Sequence, residues 1–147
     1  MPQTEEAMTI PQPSQVGSTG VQLGAAVPTF LVANVARTAR WYRECLGFRT
    51  AGTVPAAEPY VYASLVRDGV ELMLLRAGRE DPADAVVRRP EGVWDVYVRM
   101  RGVHAYYETV RARDFVRTAL AQQPYGDWEF EVEDPNGYVL VFGELLP

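Results

Sequence analysis

The tetrapeptide Asp134-Pro135-Asn136-Gly137 lies between two runs of alternating residues, and it constrains the fold more than any other feature of the chain. Proline fixes its own φ and glycine tolerates φ > 0, so this segment is a turn with a mechanism. The flanking runs, 127–133 and 138–144, then form a hairpin that closes the chain. Proline, tyrosine and glycine at 124–126 mark a second tight turn just before it.

Upstream, the hydrophobic period alternates between strand and helix. Val27 to Ala33 reads as a strand, and Asn34 caps a helix in which Val35, Ala39, Tyr42 and Leu46 share one face. Gly47 fits the helix stop. Strands follow over 48–54, 60–67 and 70–76, with Arg67-Asp68-Gly69 turning the last pair. A polar stretch with Pro82 and Pro90 separates this unit, about 25–77, from a second one, about 92–145. There a strand over 93–98 leads into a helix from Gly102 to Arg113, then strands near 115–122, 127–133 and 138–144. The order βαβββ therefore occurs twice, an α+β arrangement with one domain over 23–147 and a linker over 78–91. Residues 1–22 are rich in Pro, Gln, Ser, Thr and Gly and read as a flexible tail.

Counting residue types removes several chemistries. The 147 residues are 48% hydrophobic, enough for a core, yet hold no apolar run that would span a bilayer. No basic, apolar leader precedes Val27, and the cytoplasm is the expected location. With one His, one Cys and no Lys, the chain cannot build a site of two imidazoles or two thiolates, nor a Schiff base. His104 reads as a surface or capping residue, and Cys45 as an inert, partly buried thiol. A net charge of −5 gives no long-range attraction to nucleic acid.

The closing DPNG hairpin resembles that of the glyoxalase, bleomycin-resistance and extradiol-dioxygenase superfamily. Val27 to Phe48, ending in WYRECLGF, and Tyr60 to Leu75 resemble the opening and following segments of its modules. The resemblance implies two βαβββ modules forming a curled mixed sheet, a central cleft and helices outside. It also implies metal-ligand positions, which fall here on Val27, Met73, Val93 and Val141. Apolar residues at all four do not suit a divalent ion, so no metal and no cofactor is expected.

What remains is an aromatic and acidic cleft. If Met73 and Val141 point inward, alternation turns Glu71, Asp95 and Tyr97 the same way and sends Phe30, Val32, Leu72, Leu74, Trp94, Val96, Leu140 and Phe142 beneath the helices. Tyr60, Tyr62, Tyr125, Trp128 and Phe130 read either as sheet-covering aromatics or as ligand-stacking ones. The expected ligand-binding set is Tyr60, Tyr62, Met73, Asp95, Tyr97, Tyr125, Trp128 and Phe130. The bleomycin-resistance branch is the metal-free one, homodimers that sequester a planar cationic antibiotic between subunits, and Tyr125 lies where that branch carries Trp. Three readings follow: a dimeric, non-catalytic binder of a small aromatic or cationic molecule; a metal-independent isomerase or lyase using Asp95 or Glu71 as base; or an interaction module with a filled cleft.

Overall fold

The computed structural model describes residues 20–78 and 92–147. The expected tail up to residue 19, and the linker from 79 to 91, lie outside the described residues.

The first half runs β1 (Thr29–Val32), α1 (Val35–Leu46), β2 (Arg49–Val54), β3 (Tyr62–Arg67) and β4 (Val70–Arg76). The second runs β5 (Val96–Arg99), α2 (Val103–Val110), β6 (Ala121–Gln122), β7 (Asp127–Glu133) and β8 (Val139–Leu145). Each half makes a four-stranded mixed sheet, in the orders β1-β4-β3-β2 and β5-β8-β7-β6. The two orders are the same, so the expected repeat is structural. In both sheets the first strand pairs parallel to the last, and the remaining pairs are antiparallel.

Local chemistry sets the helix ends. Asn34 Oδ1 accepts from the Arg37 N–H at 2.9 Å, and Gly47, at φ 72°, turns the chain out of α1. Val35, Thr38, Ala39, Tyr42 and Leu46 form the buried stripe between those ends. Gly102 gives α2 no side-chain cap. Glu144 of β8 supplies one instead, accepting from the N–H groups of Gly102 at 2.9 Å and Val103 at 3.1 Å. A carboxylate at a helix N-terminus satisfies orphan donors and complements the dipole.

One face of each sheet packs under its helix, and the two helix-bearing faces share a single core. Phe30, Val32, Leu72, Leu74, Val96, Leu140 and Phe142 all belong to it, as alternation predicts. Trp41 of α1 meets Phe115 edge-on at 5.4 Å, and Arg67 of β3 lies over the Tyr106 ring of α2 at 5.0 Å. The DPNG turn grips the first half directly. Asp134 Oδ1 accepts from the N–H groups of Asn136 at 2.8 Å and Tyr138 at 3.0 Å, while Oδ2 accepts from the Tyr42 hydroxyl at 2.8 Å. Tyr138 stacks on Phe30 at 4.3 Å and donates its hydroxyl to the Leu31 carbonyl.

Three strands are clearly shorter than the sequence suggests: β1, expected over 27–33, spans only Thr29–Val32. The one expected over 93–98 begins at Val96, and the one near 115–122 shrinks to Ala121–Gln122 plus a bridge from Val116 to Val132. RARDFVRTAL, residues 111–120, has no strict alternation, so only isolated positions reach the ladder.

Candidate functional site

The open face of the second sheet is built by the register of β7 against β8. Glu129 pairs with Gly143 and Glu131 with Val141, while β5 places Tyr97 beside Val141 and Arg99 beside Gly143. Asp127, Glu129 and Glu131 therefore line one face of β7, and all three are buried. Trp128, Phe130 and Val132 take the other face.

Two tyrosines cover the acids. The Tyr97 hydroxyl donates to Asp127 Oδ2 at 2.6 Å, and Arg99 Nη1 approaches the same oxygen at 3.4 Å. Tyr97 reaches that far because residue 143 is glycine: a Cβ there would lie 2.0 Å from the phenolic oxygen. Tyr125, held out on the Gln123–Asp127 turn and 57% exposed, donates a short hydrogen bond to Glu129 Oε1. Burial, and then the hydrogen bond to Asp127 and the neighbouring charge of Glu129, raises Tyr97 far above the ordinary phenol value. Burial together with Glu129 pushes Tyr125 up to about 12. Both remain neutral donors at physiological pH.

Trp94 completes the face, its ring 5.6 Å from that of Tyr97. Strand alternation alone predicts Trp94 beneath the helix. Because β5 starts only at Val96, Trp94 precedes the ladder and is not held to its alternation. With Tyr97, Arg99, Tyr125 and Asp127 it lines an open groove of about 520 Å³. Glu129 Oε2 is buried with no hydrogen-bond partner, a costly state for a carboxylate oxygen. Glu131 accepts from the Gly92 N–H at 3.0 Å and lies 3.4 Å from Arg117.

The other predicted residues are distributed elsewhere. Tyr62 and Met73 lie on the open face of the first sheet, where Tyr62 pairs with Leu75 and Met73 with Ser64. Tyr60 packs against the core at its edge. Phe130 is fully buried in the helix-side core, 5.6 Å from Phe142, and so does not belong to the groove. Trp128 packs 4.9 Å from His104 on that same side. Asp95 Oδ2 accepts from the Val139 N–H at 2.9 Å, pinning the start of β8. Glu71 accepts from the Ser64 hydroxyl at 2.9 Å. Cys45 lies 3.8 Å from Arg113 Nη2, and burial raises its thiol pKa.

Of the residues reasoned from sequence, Tyr97 and Tyr125 come together. Asp127, Glu131, Trp94 and Arg99 were not singled out for the site. For the two acids the signal was the strict acid/apolar alternation of DWEFEVE, which marks one uniform acidic face; no sequence signal marked Trp94 or Arg99. Val27, Met73, Val93 and Val141 offer no donor set for a hard or borderline cation. Among the described residues, no three His, Cys, Asp or Glu side chains are grouped to hold a metal.

Comparison with known proteins places this geometry. The family model of the Glyoxalase/Bleomycin resistance protein/Dioxygenase superfamily matches residues 24–142. No curated protein matches. Among solved structures, TioX from Micromonospora sp. ML1 superposes with a TM-score of 0.66 at 21% identity, covering 84% of this chain and 99% of its own. The bleomycin-binding protein from bleomycin-producing Streptomyces verticillus, complexed with copper(II)-bleomycin, gives 0.61 at 22% identity, covering 83% and 96%. A glyoxalase-related enzyme from Clostridium phytofermentans gives 0.66 at 16% identity, covering 88% and 100%. At these identities the likeness establishes the fold, which both a binding protein and an enzyme-related chain share. Among the described residues, no helix is long and apolar enough to cross a membrane.

Proposed function

Because the chain belongs to the Glyoxalase/Bleomycin resistance protein/Dioxygenase superfamily, we propose that it binds and sequesters a small planar cation on the open face of its second sheet, without transforming it. One observation carries this reading: Tyr97 and Tyr125 lie over the buried carboxylates Asp127 and Glu129, beside Trp94. Aromatic faces offer stacking worth about 0.5–1.5 kcal/mol per ring pair beyond area burial. Asp127 is paired with Arg99, and the buried charge of Glu129 beneath the tyrosines favours a positive ligand through its field. The bleomycin complex of a neighbour with this fold supports that ligand class. The carboxylates considered as general bases, Asp95 and Glu71, are each engaged in holding a strand, which favours binding over catalysis.

We propose further that the binding form is a homodimer. Leu31, Leu75, Tyr62 and Val54 form one continuous row across all four strands of the first sheet. Leu31, Leu75 and Val54 are 48%, 38% and 54% exposed. An apolar row of this kind is a surface for association.

The test is recovery of the ligand. Bleomycin incubated with the protein and a chelator, then released by denaturation, should return with its mass unchanged after saturable retention. Conversion to a new species would establish an enzyme instead.

A further inference from the structure

A second cavity, of about 940 Å³, lies between the two halves and shares only Arg99 with the lining of the acidic groove. Its apolar wall is Phe48, Val70, Val98 and Phe142, the last two being 8% and 5% exposed. Its charged lining is of the other sign: Arg67, Arg99, Arg101 and Arg113 against Glu44 and Asp68. Glu44 lies 3.7 Å from Arg43, and Asp68 lies 3.8 Å from Arg67.

Two groups point to an acceptor ligand. Arg67 Nη1 donates to the Leu46 carbonyl at 2.6 Å, which fixes the guanidinium over the Tyr106 ring and uses one of its five N–H donors. The Tyr106 hydroxyl, on the ring that guanidinium covers, is buried and has no acceptor for its own proton. Arg113, anchored over the Phe115 ring at 5.2 Å, extends the donor cluster toward Cys45. Donors without matching acceptors, beside an apolar wall, suit an oxyanion attached to an apolar body.

We propose that this cavity binds an organic monocarboxylate with an aromatic or aliphatic body, its carboxylate on Arg67 and Arg113 and within reach of the Tyr106 hydroxyl, its body on Val70 and Phe142. The site is centred on Arg67, Arg113 and Tyr106, none of which lines the cation groove, and takes a ligand of opposite charge.

Isothermal titration of the full chain with 2-naphthoate tests it. Saturable binding of one ligand per chain is expected, weakened about tenfold by Arg113→Gln and by Tyr106→Phe, the loss of a charge-assisted hydrogen bond. Tyr125→Ala should leave this affinity unchanged, so the outcome is separable from that of the cation groove. Arg113 is exposed and Tyr106→Phe preserves shape, so both variants should fold, which thermal melting checks. Absence of saturable binding, equal binding of 2-naphthylmethylammonium, or affinity unmoved by both substitutions would each overturn the proposal.

Discussion

The hydroxyl of Tyr42, on the first helix, donates at 2.8 Å to the carboxylate of Asp134 across 92 residues of chain, and both side chains are buried. This bond joins the helix of one half to the closing hairpin of the other. Tyr42→Phe leaves the ring in place and removes only the donor. A hydrogen bond to a charged group contributes about 1.5–3 kcal/mol, so urea denaturation should show a loss in that range. A loss under about 0.5 kcal/mol would mean the halves do not depend on it.

Asp134 also gives stability a pH dependence. Burial raises its pKa above the ordinary carboxylate value, against the lowering effect of the Tyr42 and backbone hydrogen bonds. The folded state then holds this proton more tightly than the unfolded state, whose Asp titrates near about 3.9. Its contribution is complete below that pH and is lost as pH rises through the raised folded value. Comparing unfolding free energies across that window, the wild type should lose stability relative to Asp134→Asn as pH increases. Parallel curves would contradict the direction of the shift.

Gly143 should tolerate no side chain while Tyr97 is present. Adding a Cβ puts it 2.0 Å from the phenolic oxygen and 2.6 Å from the ring carbon bearing it. Overpacking of this kind typically costs about 1–3 kcal/mol. Gly143→Ala should therefore destabilise the wild type by about that amount, and much less in a Tyr97→Ala background. Chemical denaturation of the four proteins in a double-mutant cycle measures the coupling. Additive effects would place the cost elsewhere.

The apolar row on the first sheet predicts association. Leu75→Arg puts a charge into the middle of the row, next to Leu31 and Tyr62. Sedimentation at micromolar concentration should find a dimer for the wild type and a 16.4 kDa species for the variant. A wild-type monomer would remove the dimer from the account.

Much of this architecture is legible in the residues. Asn34 and Gly47 mark the first helix because capping and left-handed backbone are local chemistry, and DPNG marks the closing turn for the same reason. The phase of β7 was harder to read, since DWEFEVE alternates acids with apolar residues and a strand can present either set to its open face. Antiparallel partners share a face, and Phe130 pairs with Phe142, which had already been assigned to the helix side. That pairing sends Phe130 and Trp128 inward and brings Asp127 and Glu129 under Tyr97 and Tyr125. Trp94 was misplaced for another reason: periodicity constrains a residue only within a strand, and β5 begins two positions later.

The most direct test of cation sequestration is a tryptophan-fluorescence titration with bleomycin and a panel of planar cations, in the presence of a chelator. Saturable quenching at one ligand per chain is predicted. Trp94→Phe should remove most of the signal, and Tyr125→Ala and Glu129→Gln should weaken the affinity. Absence of quenching across the panel, or quenching that survives Trp94→Phe with affinity unmoved by the other two, would contradict a binding site on this face.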